Sequence, residues 1–135
     1  MYINWYLASD YWGTNPLNIK IERIYDNPTG NTALRILVDR LWPPGLKREN
    51  TKIDLWHKEI APSNSLRKWY GHDDEKWNKF KLRYFTELDT KKDLVDTILV
   101  KITQEAPVTL LYAAKDEKFN NAVALKEYLE EKLTK

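Results

Sequence analysis

Two runs of consecutive apolar residues predict strands that are buried on both faces of a sheet. The first is Ile36-Leu37-Val38, inside a strand expected at residues 35–42, and the second occupies residues 108–114. Charged residues follow each run directly, so each strand is expected to end there. Helical patterns lie between the two runs, and such connections join parallel strands. We therefore predict that these strands are parallel neighbours at the centre of a sheet.

Apolar residues at helical spacing predict four longer helices, at about residues 64–70, 74–88, 94–102 and 122–133. Ser63 can cap the first of them, and Gly71 can end it in a left-handed conformation. The spacing of Ile53, Trp56 and Ile60 favours a further short helix. A strand remains an alternative there because the segment is brief.

The strand predicted at residues 19–25 begins with alternating apolar and polar residues, as an edge or half-buried strand does. Turn-forming residues fill positions 26–31, and the whole link is too short for a helical crossover. We therefore expect a hairpin with the next strand, and a mixed sheet that is parallel at its centre. The predicted fold is α/β, a single three-layer domain over residues 19–135 with helices on both faces of a short sheet.

Residues 1–18 differ in character from the rest of the chain, since they are rich in Trp and Tyr and are broken by Gly13 and Pro16. One interpretation is an aromatic arm that packs on the domain or on a second copy, which predicts a homodimer through the arm. The other is a poorly ordered extension, as chain ends often are.

Composition excludes several classes of site. The 135 residues carry a net charge of +2, which does not indicate a nucleic-acid or membrane partner. There is no cysteine, which removes disulfides and thiolate metal sites and fits a cytoplasmic protein. The two histidines, fifteen positions apart, make a poor metal signature, and there is no glycine-rich loop, so neither a metal nor a cofactor is expected. No apolar run is long enough to span a membrane.

Four short motifs occur in order along the chain: Leu37-Val38-Asp39-Arg40-Leu41-Trp42-Pro43, Ala61-Pro62-Ser63 followed by Leu66-Arg67-Lys68-Trp69, His72-Asp73 with Trp77 and Phe80, and residues 110–116 with Asn120-Asn121-Ala122. As a set they resemble the YeaO-like family of small bacterial proteins, a domain-of-unknown-function group numbered four-eight-eight. The resemblance covers residues 19–135 and implies a compact α/β fold, with no established activity. Relatives commonly have Arg after Trp-Pro, where this chain has Pro44, so the resemblance implies that an anion-binding role is lost at that position.

Polar side chains at both central strand ends predict a ligand site at the carboxyl edge of the sheet. Asp39 and Arg40 end the first strand, Lys115 and Asp116 end the second, and Asn120 and Asn121 begin the last helix. Ligands of open α/β sheets bind beyond the carboxyl ends of the strands, and helix N-termini favour anions. We predict a small anionic, nucleotide-like ligand held by Arg40, Lys115 and the asparagines, with Asp39 or Asp116 orienting the cations or handling protons. The alternative is a network of internal ion pairs, Asp39 with Lys115 or Arg40 with Asp116.

Trp42 and Trp69 offer flat walls on which a ring could stack, and core packing is the alternative role for each. His72 and Asp73 have the components of a general base and its orienting carboxylate. Adjacent side chains do not turn readily onto each other, however, and Asp at a helix start is ordinary capping. Asp39, His72 and Asp116 are the candidates for acid–base chemistry, and whether a reaction follows binding stays open.

A basic stripe lies opposite the apolar face of the second helix, at Lys76, Lys79 and Arg83. The alternative function is therefore a nucleic-acid or protein interaction module that uses this Lys76–Arg83 face. A solvated helix face explains such a stripe equally simply. No nucleic-acid-binding motif accompanies it, so nucleic acid is not the favoured partner.

Overall fold

The computed structural model describes residues 18–30, 34–105 and 107–134. Its strands are β1 (Ile19–Arg23), β2 (Leu34–Leu37), β3 (Leu55–Trp56) and β4 (Val108–Tyr112). Its helices are α1 (Asn64–Tyr70), α2 (Trp77–Asp89), α3 (Lys92–Glu105) and α4 (Asn121–Leu133). The strands form one sheet in the order β1-β4-β2-β3. The expected single α/β domain is confirmed.

The two apolar runs form the centre of the sheet, as predicted. β2 and β4 are parallel neighbours, with Ile36 opposite Leu110 and Leu37 opposite Leu111. All residues of β4 are buried, because the strand has a neighbour on each side and is covered on both faces. The carboxyl ends of β2 and β4 therefore reach the same edge of the sheet.

The predicted hairpin between the first two strands is wrong. β1 pairs in parallel with β4, and β4 separates it from β2. Every strand pairing in the described part of the chain is parallel, so the sheet is not mixed. The link is too short for a helix, but ten residues can extend over roughly 33 Å, enough to return along the sheet and to reach a strand two places, roughly 10 Å, away. An extended link can therefore join the carboxyl end of β1 to the amino end of β2, as their parallel directions require, without a helix.

The α-helices of the described residues all pack on one face of the sheet, contrary to the expectation of helices on both faces. Their buried residues join the core built on Ile36, Val108 and Leu110. The other face, at Leu37 and Leu111, is covered by loop side chains. Right-handed connections that run in opposite directions across a sheet lie on opposite faces. Among the described residues, the connections from β1 to β2 and from β2 to β3 contain no α-helix, whereas α1, α2 and α3 lie between β3 and β4, and α4 follows β4.

The helix expected from Ile53 to Ile60 is also wrong. Leu55 and Trp56 form the edge strand β3, and a 3-10 turn follows at Lys58–Ile60. The amides of Asp54 and His57 donate to carbonyls of β2, at 2.9 Å each. The free carbonyls at the edge of β2 thus accept the hydrogen bonds that these amides would otherwise donate within a local helix.

The predicted caps of α1 are confirmed. The Ser63 hydroxyl accepts a hydrogen bond from the Leu66 amide at 3.1 Å, which satisfies a free donor of the first turn. Gly71 ends the helix with φ +55°, a left-handed conformation that disfavours side chains.

A buried guanidinium holds together the amino-terminal half of the sheet. Arg35 of β2 is 2% exposed and donates to the Glu22 carboxylate at 2.7 Å, the Lys52 carbonyl at 2.8 Å and the Asn27 carbonyl at 2.6 Å. These acceptors lie around the guanidinium in three directions, one at each nitrogen. A Cβ at Gly30 would approach Arg35 Nη1 to 2.5 Å, so this position has no room for a side chain while Arg35 stays in place.

We expect Arg35→Lys to lower the free energy of unfolding by about 2 kcal/mol, because an ammonium cannot reach three acceptors arranged around a planar fork. Urea titration followed by tryptophan fluorescence measures the change. Arg83→Lys, on α2, is the matched control and should change stability by less than about 0.5 kcal/mol, because Arg83 is exposed and Lys keeps a positive charge over the Trp69 ring that Arg83 covers. Equal stability of the two variants would show that the Arg35 contacts contribute nothing specific.

Candidate functional site

A cleft of about 970 Å³ opens beyond the carboxyl ends of β1, β2 and β4. The first residues of α4 and one side of α1 complete its walls. Eight of the nine residues singled out in the sequence line it: Asp39, Arg40, Trp42, His72, Lys115, Asp116, Asn120 and Asn121. The structure does not bring Trp69 to the cleft.

Asp39 lies deep in this cleft and joins β2, β4 and α4. Its Oδ2 accepts from the Ala113 amide at 2.9 Å, and its Oδ1 accepts from Asn121 Nδ2 at 3.0 Å. The same Asn121 nitrogen donates to the Val38 carbonyl at 3.0 Å. Burial raises the pKa of the Asp39 carboxyl, while its two hydrogen bonds and the charge of Arg67 act in the opposite direction. Asp39 is thus a poorly solvated carboxyl that is held rigidly in place.

Asp116 and Asn120 organise the start of α4. Asp116 Oδ1 accepts from the amides of Phe119 and Lys118, and these bonds lower the pKa of its carboxyl. Asn120 is buried, caps α4 by accepting from the Val123 amide at 2.9 Å, and donates to the Asp116 carbonyl at 2.8 Å. The polar groups of Asn120 are therefore used within the protein.

Arg40 is bound to the segment that precedes α1. It donates to the Pro62 carbonyl at 3.2 Å and to the Ala61 carbonyl at 3.0 Å, and it pairs with Glu59 at 3.4 Å. Neither ion pair considered from the sequence, Asp39 with Lys115 or Arg40 with Asp116, occurs among the described residues. Arg40 has charge to offer a ligand, but most of its donors are engaged.

Side chains of α2 and of the residue before α3 also bind this segment, residues 59–63. The buried Tyr84 hydroxyl donates to the Ile60 carbonyl at 2.7 Å, and Lys91 Nζ donates to the Glu59 carbonyl at 2.8 Å. The Glu87 carboxylate accepts from the amide and the hydroxyl of Ser63. This wall of the cleft is consequently fixed by side chains on both of its sides.

The two tryptophans have different positions. Trp42 lines the cleft, donates through Nε1 to the Leu46 carbonyl at 2.7 Å, and packs edge-on against Trp56 at 5.6 Å. Trp69 instead packs under the basic stripe, with the Arg83 guanidinium 4.1 Å and the Lys76 ammonium 5.1 Å from its ring centre. Of the two, only Trp42 is placed to flank a ligand.

His72 lies at the rim of the cleft in a left-handed conformation, with φ +60°. Its ring is 6.3 Å from that of Tyr70. Asp73 caps the following turn by accepting from the Glu75 amide at 3.0 Å, so it does not orient His72. Burial raises the pKa of Tyr70 to about 12, and the charges of Asp74 and Asp116 add to this shift. The Tyr70 hydroxyl therefore stays protonated at neutral pH.

Three cations of the cleft have unused donors. Lys115 and Lys68 are exposed and form no hydrogen bond or ion pair in the described part of the chain. Arg67 donates from Nη2 to Asn64 at 2.7 Å, and its Nε is buried without a partner. Sequence reasoning found Lys115 but not Lys68 or Arg67. Their signal was the predicted cap at Ser63, which starts α1 at this edge of the sheet and carries both residues into the cleft wall.

Two other kinds of site are absent from the described residues. No group of three or more His, Cys, Asp or Glu residues is arranged to hold a metal ion. No helix there has both the length and the apolar character needed to cross a membrane.

Comparison with known proteins places this chain in a family. The profile described as the inactive DUF488-N3 subclade, DUF488-N3i, matches residues 18–135. The chain belongs to this family. The uncharacterised protein YeaO of Escherichia coli strain K12 is 38% identical over 113 residues, which are 84% of this chain and 97% of YeaO. The uncharacterised proteins Rv3073c of Mycobacterium tuberculosis H37Rv and Mb3100c of Mycobacterium bovis are 32% identical over 111 residues, which are 82% of this chain and 92% of each relative. No solved structure matches.

The DUF488-N3i match begins at residue 18, so the aromatic segment before it lies outside the family profile. Residues 1–17 also lie outside the described residues, and dimerisation through them stays a prediction. The resemblance to the YeaO-like family is confirmed, and within this DUF488-N3i chain all four motifs that carried it contribute residues to the cleft.

Asn121→Asp should destabilise the protein in a pH-dependent way. The introduced carboxyl would replace the donor to Asp39, so two half-buried carboxyls would face each other and both folded-state pKa values would rise. The penalty is present above those values and is lost as pH falls below them, because protonation of either group restores a hydrogen bond. We expect a loss of about 2–3 kcal/mol at pH 7.5 that shrinks towards pH 5, measured by urea unfolding.

The matched control for that change is Asn78→Asp, at an exposed position of α2. It should cost less than about 0.5 kcal/mol at either pH. A pH-independent loss in the Asn121 variant would contradict the assigned contact with the Asp39 carboxylate.

Proposed function

We propose that this protein binds a small anionic, nucleotide-like ligand in the cleft at the carboxyl edge of its sheet. The observation that carries the proposal is the position of two ammonium groups, Lys68 and Lys115, which have no partner among the described residues and lie on the rim of a cleft of about 970 Å³. Cavities of roughly 300–1,000 Å³ accommodate ligands the size of a mononucleotide. Most other polar groups of the predicted site are engaged inside the protein, so these lysines are the groups best able to contact a ligand anion.

Aromatic side chains support a ligand that contains a ring. Tyr25, Trp42, Tyr70 and Phe119 all line the cleft. Trp42 and Tyr70 have their polar atoms bonded to backbone carbonyls, so a ring can pack on their apolar surfaces without competing with those bonds.

The acidic and basic groups of the cleft favour binding of the ligand without a chemical reaction. The Asp39 carboxyl is held by two donors, Asp73 serves as a cap, and the Tyr70 hydroxyl is stabilised in its protonated form. His72 therefore has no carboxylate partner of its own within the described contacts. The description of the family as an inactive subclade agrees with a binding role.

The Lys76–Arg83 face supports the alternative function less well. Lys76 and Arg83 pack on Trp69, and Lys76 also donates to the Trp69 carbonyl at 2.8 Å. Two of its three cations thus contribute to folding, and Lys79 alone is exposed without a partner in the described structure. We therefore retain this face as a comparison in the test rather than as a second proposal.

Calorimetric titration with ribose 5-phosphate, using ribose as the uncharged reference, tests the proposal. We expect the phosphate ester to bind and ribose not to. Each of Lys68→Gln and Lys115→Gln should weaken binding about fivefold, the value of one exposed charge-assisted contact of roughly 1 kcal/mol.

Lys79→Gln is the matched control, because it removes an exposed lysine that does not line the cleft. It should leave ribose 5-phosphate binding unchanged. If instead the protein ignores the phosphate ester and binds single-stranded oligonucleotides, with an affinity that falls steeply with salt and with Lys79→Gln, the interaction-module alternative is correct.

A further inference from the structure

The cleft has a carboxyl group at its floor and ammonium groups at its rim. Asp39 lies at the floor, is held in place by Ala113 and Asn121, and is poorly solvated. Lys68 and Lys115 lie at the rim and are exposed. An anionic group at the floor would meet a carboxylate in a region of low polarity, where repulsion is strong. The anionic end of a ligand is therefore oriented outward and its neutral end inward.

The floor offers hydrogen-bond acceptors beside a donor. Each oxygen of a carboxylate accepts two hydrogen bonds, and each oxygen of Asp39 receives one from the protein. Arg67 is close enough for its charge to act on Asp39, but the two form no ion pair in the described structure. Its Nη1 forms no hydrogen bond in the described structure and, unlike the buried Nε, is not enclosed by the protein, so a ligand acceptor in the cleft can bind it.

Aromatic surface lies next to this acceptor–donor arrangement. Tyr70 follows Arg67 by three residues on α1, so both side chains are on the same side of the helix and both line the cleft. Phe119 also lines the cleft, and its carbonyl accepts from the Tyr70 hydroxyl at 3.3 Å. A flat heterocycle that enters here has aromatic contacts beside it and polar groups in front of its edge.

We propose that the ligand is a guanine nucleotide that enters base first, with the guanine edge on Asp39 and Arg67 and the phosphate between Lys68 and Lys115. This inference rests on the proposed function and specifies its ligand. Guanine presents two adjacent N–H donors, N1 and N2, next to the O6 acceptor, which complements a carboxylate beside a guanidinium. Adenine presents one donor on that edge, and uracil presents its donor between two acceptors.

The decisive experiment compares GMP with IMP on the unaltered protein by calorimetric titration. The two nucleotides differ only in the 2-amino group of the base, so their difference isolates the second donor to Asp39. We expect GMP to bind at least about tenfold more tightly, as for one hydrogen bond to a charged acceptor. Equal affinities would overturn the inference, even if both nucleotides bind.

Two further titrations separate failure of this inference from failure of the proposed function. Arg67→Gln should weaken GMP about tenfold and leave ribose 5-phosphate unchanged, whereas Lys115→Gln should weaken both. If ribose 5-phosphate binds and GMP binds no better, the inference fails and the proposed function stands. If neither binds, both fail. Lys79→Gln, outside the cleft lining, should change no affinity, and a loss of affinity in that variant would also count against the assignment.

Discussion

The cleft depends on one constraint. Two N–H donors, one from the backbone and one from a side-chain amide, point at the end of β2, and both need a hydrogen-bond acceptor there. Asp39 meets this requirement, since its carboxylate accepts from the Ala113 amide after β4 and from the Asn121 side chain at the start of α4. Its own carbonyl accepts from Trp56 Nε1 at 2.8 Å, which brings in β3 as well. A carboxylate is the side chain that offers two acceptors and no donor. Replacing it with an amide would therefore oppose a donor to a donor.

This constraint divides the polar groups of the cleft into two kinds. Arg40, Asn120 and Asn121 have their donors occupied by carbonyls and carboxylates of the protein, so they act mainly as structural elements of the walls. Lys68 and Lys115 have no such partners in the described structure, and they are where a ligand can gain contacts without breaking any. Most polar residues that the sequence suggests for the site are thus hydrogen-bonded within the protein, and a few at the rim of the cleft can bind a ligand.

Sequence patterns located the central strands, the caps of α1 and the edge of the sheet at which the cleft opens, because each depends on local chemistry. Consecutive apolar residues mark a strand with two covered faces, and Ser63 and Gly71 act within a single helix. The position of β1 beside β4, the strand at Leu55 and the placement of all helices on one face depend on pairings between distant segments. The roles of Arg40 and Arg67 also depend on tertiary contacts. Both are arginines of the quoted motifs, but Arg40 has most of its donors engaged, whereas Arg67 binds only Asn64 in the described structure and keeps unused donors.

The electrostatics of the cleft follow from its folding chemistry. Burying a carboxylate disfavours its ionised form, and burial accordingly raises the pKa of Asp39. The fold accepts this cost because no neutral side chain satisfies both converging donors equally well. A floor with negative character is then unavoidable, and cations of the same cleft that are free to act lie at the rim. The negative charge that would orient a bound ligand therefore belongs to the same carboxylate whose hydrogen bonds join the sheet to α4. A variant that replaces Asp39 with a neutral residue would lose these hydrogen bonds and the orienting charge together.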